Sequence, residues 1–194
     1  MEVILARSAG FCFGVARAVR MAEELAASGR RAKMLGHIIH NDYEIARLAG
    51  LGLAVISSPQ EAEEGDCVLL RAHGESRAAH EALASRGTQV VDATCPKVAR
   101  VQQIVREAEA EGRHPVMIGD PRHPEVLGVK GWCSGLEVFS GPAEVLSWAQ
   151  TLANSTDLPI AVVAQTTLRR EIWESSLKIL KKQCTNLKIF DTIC

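Results

Sequence analysis

Three cysteines share one sequence setting, each in a short loop that follows an apolar run: Cys12, Cys95 and Cys194. They lie far apart in the chain and form no local Cys-x-x-Cys motif, so their spacing alone names no metal. Thiolates on three separate turns can still meet in space and hold a 4Fe–4S cluster, with one iron not ligated by protein. Such an iron can bind a substrate oxygen as a Lewis acid. Buried, inert cysteines remain the alternative at this point.

The other three cysteines are predicted to have no chemical role. Cys67 begins an apolar run, Cys133 lies in a loop and Cys184 ends a helical pattern. The even total of six is weak evidence for disulfides, because a chain of 194 residues is long enough to fold without them.

Three histidines follow apolar runs in the same way and stand beside Asn, Gly or Pro: His40, His73 and His123. Imidazole binds phosphate either as a cation or as a neutral hydrogen-bond donor. These three are therefore candidates for an anion site, although a single histidine is more often structural. The remaining histidines are predicted to be structural or solvated: His37, His80 and His114.

Glu125 and Thr166 are candidates for moving a proton. Glu125 follows His123-Pro124 and is predicted to open a short helix, where a carboxylate also interacts favourably with the helix dipole. To donate a proton it would need a pKa raised by burial or by nearby anions. Thr166 is either a hydroxyl relay or the cap of the next helix.

The elements that position these residues follow an α/β pattern, with helices between strands and mostly parallel sheets. Strands are predicted at 3–6, 32–35, 53–56, 67–70, 89–91, 115–118, 137–139, 160–163 and 187–190. Helices are predicted at 15–28, 41–49, 76–86, 96–111, 123–131, 143–152 and 170–183. Two consecutive subdomains are expected, 1–95 and 96–194. The candidate residues then fall at the carboxyl ends of strands, where ligands bind in such sheets.

Composition excludes some classes of function. The formal net charge of −1 argues against a nucleic-acid binder with a broad basic face. No apolar run reaches the roughly 18 to 20 residues of a membrane helix, and no secretory signal is evident. A cytoplasmic protein with reduced thiols is therefore predicted.

Six motifs occur in an order that, taken together, is highly specific: Gly-Phe-Cys-Phe-Gly-Val, His-Ile-Ile-His-Asn, Ala-His-Gly, Asp-Ala-Thr-Cys-Pro, His-Pro-Glu-Val and Gln-Thr-Thr. With Cys194 they resemble the 4-hydroxy-3-methylbut-2-enyl diphosphate reductase family, IspH/LytB. The resemblance runs from Phe11 to Cys194.

The resemblance implies an oxidoreductase of the last step of the non-mevalonate isoprenoid pathway. Two electrons from ferredoxin or flavodoxin remove the hydroxyl of an allylic diphosphate as water, giving isopentenyl and dimethylallyl diphosphate. It implies a 4Fe–4S cluster whose free iron binds that hydroxyl. By the same resemblance the cluster ligands are Cys12, Cys95 and Cys194, the diphosphate-binding histidines are His40, His73 and His123, the proton donor is Glu125 and the site threonine is Thr166.

The chain also departs from the family pattern, because the family continues past its third cysteine into another α/β domain that helps to grip the diphosphate. The third family domain is absent here, so a fragment of a longer enzyme is expected, and Cys194 is expected to fray unless something holds it. Three alternatives stay open: a non-catalytic iron–sulfur or redox-sensing module, a structural zinc protein with three cysteines and one histidine, and a plain phosphate-binding α/β domain.

Overall fold

The computed structural model describes residues 3–4, 6, 9–152 and 157–194. It contains two compact units, each built on one four-stranded sheet in which all strand pairs are parallel. The first unit comprises Met1–Ala72 and Leu83–Cys95, and the second comprises His73–Ala82 and Pro96–Cys194. This confirms the predicted α/β class with parallel sheets. The predicted division into 1–95 and 96–194 differs in one segment, since His73–Ala82 belongs to the second unit.

The first sheet has the strand order β2-β1-β3-β4. Its strands are β1 (Ala32–Leu35), β2 (Ala54–Ile56), β3 (Cys67–Leu70) and β4 (Gln89–Asp92), and the helices along this part of the chain are α1 (Phe13–Ala27), α2 (Asp42–Gly50) and α3 (Arg77–Ser85). A single 3₁₀ turn at Pro59–Glu61 was not predicted. All four residues of β3 are buried, so apolar side chains fill both faces of this central strand.

The second sheet repeats the same order, β6-β5-β7-β8. Its strands are β5 (His114–Ile118), β6 (Glu137–Phe139), β7 (Ile160–Ala164) and β8 (Leu187–Ile189), and its helices are α4 (Pro96–Ala110), α5 (Pro124–Lys130), α6 (Pro142–Thr151) and α7 (Arg170–Gln183). The central strand β7 is buried along its whole length.

Amphipathic spacing explains how the helices cover these sheets. In α1 the buried side chains recur at helical spacing, at Ala18, Val19, Ala22 and Leu25, and join the core of the first unit. In α7 the buried Trp173 and Leu180 join the core of the second unit in the same way.

In each sheet the second strand is added on one side of the first strand, and the chain then crosses over to add the remaining strands on the other side. This crossing defines a switch point. It lies between β1 and β3 in the first unit and between β5 and β7 in the second. The loops that leave two neighbouring strands at such a point turn to opposite sides, which opens a crevice for ligands. The loops after β5 and β7 carry His123 and Thr166, so candidate residues of the second unit fall at its crevice.

Most predicted helices and strands are present, and their ends lie within about two residues of the predicted ends, which is the usual scatter in assigning them. The exception is the strand predicted at 3–6. Its described residues, Val3, Ile4 and Ala6, have no regular structure, and Leu5 lies outside the described residues. Val3 and Ile4 are 80 % and 84 % exposed, so apolar character alone was misleading here. Among the described residues no helix is both long and apolar enough to cross a membrane.

Candidate functional site

The loop that carries Cys95 is fixed by its own polar groups. It follows β4, and Asp92 Oδ1 accepts hydrogen bonds from the backbone N–H of Thr94 (2.8 Å) and from its hydroxyl. This local turn is one that Asp favours. Cys95 N donates to Ala72 O at 2.9 Å, and Ala93, within the loop, is fully buried. The half-buried thiol of Cys95 is thus held at the carboxyl edge of the first sheet.

Cys12 occupies the N-cap position of α1, and its thiol is exposed. Two residues later, Gly14 leaves room for Cys95. A methyl group on Gly14 would lie 2.7 Å from Cys95 Sγ, well inside van der Waals contact. The first turn of α1 and the Cys95 loop therefore touch, and the structure brings the surroundings of these two predicted ligands together within the first unit.

Arg17, one turn further along α1, forms a second link to the same loop. Its Nη1 donates to Thr94 O at 3.2 Å and its Nη2 donates to Asp92 O at 3.5 Å. Arg17 was not among the site residues predicted from the sequence. No local signal could have predicted it, because its partners lie more than 70 residues away in the chain.

His40 lies in the loop after β1 of the first unit and is exposed. The two residues before it, Ile38 and Ile39, are buried, and Ile38 O accepts a hydrogen bond from Ala72 N at 3.0 Å. Asn41 then caps α2, since its Oδ1 accepts from Glu44 N at 3.0 Å. The backbone on both sides of His40 is thus anchored.

Glu125 and Thr166 form a buried pair in the second unit, where Glu125 is only 1 % exposed. Glu125 Oε1 accepts from Thr166 N, and Oε2 accepts from the Thr166 hydroxyl, both at 2.6 Å. Burial raises the pKa of Glu125, while the two hydrogen bonds from Thr166 oppose that rise. A carboxyl group in this setting holds its proton to higher pH than an exposed glutamate, as a proton donor requires.

His123 is the N-cap of α5, the short helix that begins with Pro124. Its Nδ1 accepts a hydrogen bond from Glu125 N at 3.1 Å, so in the neutral ring the proton is on Nε2. The ring of His73 lies edge-on to the ring of His123, with centroids 5.4 Å apart. The second unit therefore brings two of the three predicted phosphate-binding histidines together, next to Glu125.

The segment that carries His73 is docked on α5 and on the turn that follows it. A methyl group on Gly128 would lie 2.8 Å from Gly74 O, so only glycine permits this close approach. Trp132 Nε1 donates to Glu75 O at 2.9 Å. Neither contact was predicted, because Gly128 and Trp132 carry no signal of these long-range partners in the sequence around them.

Cys194 lies in the segment that follows β8, and hydrogen bonds to the rest of the second unit hold this segment in place. Its backbone N–H donates to Thr166 O at 2.7 Å. Just before it, the Thr192 hydroxyl accepts from Ala164 N (2.8 Å) and donates to Ala164 O (2.7 Å), as a backbone peptide would in a ladder. Arg170 pairs with Asp191 in the same segment. The fraying expected for Cys194 is therefore countered by specific contacts, while its thiol is exposed.

The cysteines and histidines predicted to lack a chemical role lie in other surroundings. Burial and Glu109 raise the pKa of Cys133 to about 11, burial raises the pKa of Cys184, and Cys67 is buried in β3. His80 packs edge-on against Trp132, and His114 stacks on Trp148 and pairs with Glu137. The exposed His37 lies 3.7 Å from Asp42.

The donor set of the three loop cysteines fits an iron–sulfur cluster. None of the three is in a disulfide, each thiol is exposed or half-buried, and the backbone N–H of Cys95 and of Cys194 is hydrogen-bonded. Soft thiolate ligands favour iron–sulfur clusters over hard cations.

Comparison with known proteins decides the family. The model of the LytB protein family matches residues 3–194. This chain belongs to the LytB family. Among curated LytB relatives, 4-hydroxy-3-methylbut-2-enyl diphosphate reductase of Thermoanaerobacter sp. strain X514 is 37 % identical over 198 residues, which cover all of this chain and 67 % of that protein. The same-named protein of Aquifex aeolicus is 37 % identical over 196 residues and is covered to 66 %.

Solved structures agree with this assignment to the LytB family. A structure of (E)-4-hydroxy-3-methyl-but-2-enyl diphosphate reductase, described as the terminal enzyme of the non-mevalonate pathway, matches with a TM-score of 0.84 and 38 % identity over 99 % of this chain and 68 % of that one. The Plasmodium falciparum reductase matches with a TM-score of 0.89 and 25 % identity, over 97 % and 59 % of the two chains. The chain thus spans about two thirds of the length of the curated relatives quoted above.

Proposed function

We propose that this LytB-family chain contributes to the reductive dehydroxylation of 4-hydroxy-3-methylbut-2-enyl diphosphate. Two electrons and two protons are consumed, the C–O bond of the alcohol breaks, and water leaves with isopentenyl or dimethylallyl diphosphate as the product. The proposal rests on the printed activity of relatives that are 37 % identical along the whole chain. The single structural observation that supports it most is the buried Glu125–Thr166 pair, whose Thr166 carbonyl also accepts the N–H of Cys194.

Cys12, Cys95 and Cys194 are the proposed ligands of a 4Fe–4S cluster with one iron not ligated by protein. When bound, the cluster supplies the electrons and a Lewis-acid site for the substrate hydroxyl. The electron donor is proposed to be ferredoxin or flavodoxin, and the cytoplasmic location stays a prediction.

The other site residues have separate proposed tasks. Glu125 carries the proton, and Thr166 orients the Glu125 carboxyl through its N–H and its hydroxyl. His40, His73 and His123 are proposed to bind the diphosphate, for which imidazole is suited as a cation or as a neutral donor. The Nδ1 of His123 accepts from Glu125 N, which leaves Nε2 as the nitrogen that carries the neutral ring's proton.

Anaerobic reconstitution of the chain with iron and sulfide tests the cluster. We expect a brown protein with about four irons per chain. Serine substitution at Cys12, Cys95 or Cys194 is expected to lower that iron content. Cys133→Ser is the matched control, because burial keeps the thiol of Cys133 protonated and the iron count should not change.

A turnover assay with a chemically reduced viologen as the electron source tests the reaction. Formation of isopentenyl and dimethylallyl diphosphate supports the proposal. A brown protein that forms neither product would favour the non-catalytic iron–sulfur or redox-sensing alternative. A colourless protein with one zinc per chain would overturn the cluster.

A further inference from the structure

The first two turns of α1 make two independent contacts with the loop that carries Cys95. Gly14 faces the Cys95 side chain so closely that an added methyl group would lie 2.7 Å from Sγ and 3.1 Å from Cβ. Arg17 donates to the carbonyl oxygens of Thr94 and Asp92. Both contacts belong to the first unit, and neither involves a metal.

The guanidinium of Arg17 is suited to this task by its geometry. A planar group with several N–H donors can bind two backbone carbonyls of one turn at the same time. One of these carbonyls belongs to Thr94, the residue directly before Cys95. Since Asp92 Oδ1 already holds Thr94 N from the other side, the peptide groups before Cys95 are fixed both internally and by α1.

We infer that Arg17 is a positioning residue for the Cys95 thiol, and that α1 sets the geometry of Cys12 and Cys95 before any cluster is bound. Cys12 occupies the N-cap position of the helix whose first two turns contact the Cys95 loop, so a single rigid element determines where both thiols lie. The inference rests on the proposed function only in naming the group that the two thiols bind.

The test for Arg17 uses the substitution Arg17→Met, which keeps the apolar length of the side chain and removes the guanidinium. Arg20→Met is the matched control, because Arg20 lies on the same helix and its only ion pair with a described residue is the exposed contact with Glu24 at 3.9 Å. The metal-free proteins are treated with iodoacetamide, and alkylation of each cysteine is followed by peptide mass spectrometry. Buried Cys67 serves as the internal reference for intact folding.

The expected result is a several-fold faster alkylation of Cys95 in Arg17→Met, with Arg20→Met unchanged and Cys67 protected in both. Equal Cys95 rates in the parent and Arg17→Met, with Cys67 protected, would overturn the positioning role. If Cys67 also becomes reactive, the change reports unfolding and the role is likewise overturned.

Gly14→Ala provides a second variant, which adds bulk at the contact where Arg17→Met removes hydrogen-bond donors. It adds only the methyl group that would press on Cys95 Sγ, while alanine is intrinsically better than glycine in a helix. We expect its reconstituted cluster to be lost several-fold faster than the parent cluster on exposure to a chelator, while helix content by circular dichroism is retained. An unchanged rate of cluster loss would show that the close contact at Gly14 does not position Cys95.

These readouts separate the inference from the proposed function. Faster alkylation of Cys95 in Arg17→Met, in a chain that takes up no iron, supports the positioning role and contradicts the cluster. Normal cluster loading, with alkylation and cluster loss unchanged in both variants, supports the cluster and overturns the positioning role.

Discussion

The carboxyl group of Glu125 is buried and receives both donors of Thr166. Glu125→Gln keeps its shape but removes its acidic proton. We expect turnover to fall about 10²-fold or more, the typical contribution of general acid catalysis. The iron count and the visible spectrum should be unchanged, since Glu125 is not among the proposed ligands. Unchanged turnover would exclude Glu125 as the proton donor.

The raised pKa of Glu125 also makes stability depend on pH. Because the folded pKa lies above the ordinary value of 4.5, this contribution to stability is full below pH 4.5 and is lost as the pH rises through the raised pKa. Glu125→Gln cannot ionise at this position. The free energy of unfolding of the variant minus that of the parent should therefore increase as the pH rises above about 4.5 and through the raised pKa of Glu125. Urea unfolding of both proteins measures it, and a constant difference would contradict the raised pKa.

Thr166→Val tests the hydroxyl separately from the backbone N–H. Valine keeps the shape of the side chain and removes the O–H donor to Glu125 Oε2. Since that hydrogen bond lowers the pKa of Glu125, the basic limb of the kcat/KM profile should move to higher pH. Turnover is expected to fall about tenfold, from the loss of a charge-assisted hydrogen bond. The exposed Thr151→Val is the control, and an unmoved limb in Thr166→Val would argue against the relay.

The sequence predicted which residue types gather at the carboxyl edges, but not what holds them in place. His123 and Glu125 could be named because they follow a strand within one short motif. The partner of Glu125 lies 41 residues away, and Arg17 lies more than 70 residues from its acceptors. Contacts of this range depend on strand order, which local patterns do not determine.

Among the elements, α5 sets the position of the His73 segment through Gly128. A side chain at 128 would press on Gly74 O, a backbone atom that cannot turn away. We expect Gly128→Ala to lower the free energy of unfolding by about 1–3 kcal/mol, the usual cost of overpacking. It should also raise KM for the diphosphate. Gly50→Ala in α2 is the control, because no atom of the described residues outside its own helix and its chain neighbours lies within 4 Å of the added methyl group. Equal effects of both changes would contradict the steric argument.

The segment after β8 depends on the hydroxyl of Thr192. Thr192→Val leaves Ala164 N without its 2.8 Å acceptor, and an unsatisfied buried donor costs about 1–3 kcal/mol. Hydrogen exchange at the amides of Ala164 and Cys194 should therefore become faster, while exchange along β5 stays slow. Thr151→Val is again the control. Unchanged protection of Cys194 would show that Thr166 O alone holds it.

The pattern of apolar residues correctly predicted whether a segment is a helix or a strand where that segment has many buried residues. β1, β3 and α7 have the predicted bounds, because β1 and β3 are short apolar runs that are almost entirely buried and the buried residues of α7 follow helical spacing. Segment 3–6 has the same apolar character, yet its described residues have no regular structure. The 3₁₀ turn at Pro59–Glu61, which was not predicted, forms through a capping box with Ser58, a short-range signal that the sequence does contain.

For the whole molecule, the proposed cluster should act as a ligand of the folded state. A group that binds only the native chain raises its stability by mass action. We expect the Tm of the loaded protein to exceed that of the metal-free protein, and iron chelation to reverse the gain. Cys194→Ser should reduce the gain, whereas Cys133→Ser should retain it. Identical Tm values with and without iron and sulfide would contradict a cluster bound to the native fold.

The repeated strand order is a property that the sequence did not reveal. The strands of both sheets have the same spatial order, although the amino-acid sequence shows no visible repeat. Two units with different sequences can share one strand order, because parallel sheets with right-handed crossovers allow few arrangements and many apolar sequences can fill the same core.

The placement of the three cysteines along the chain has a consequence for timing. Cys12 and Cys95 both belong to the first unit, whose residues end at position 95, whereas Cys194 lies in the second unit. At a synthesis rate of about 5–20 residues per second, the third proposed ligand follows the second by on the order of ten seconds. During this interval the nascent chain presents an incomplete ligand set. Insertion of the proposed cluster is therefore expected only after translation has passed residue 194, and until then both earlier thiols depend on a reducing environment.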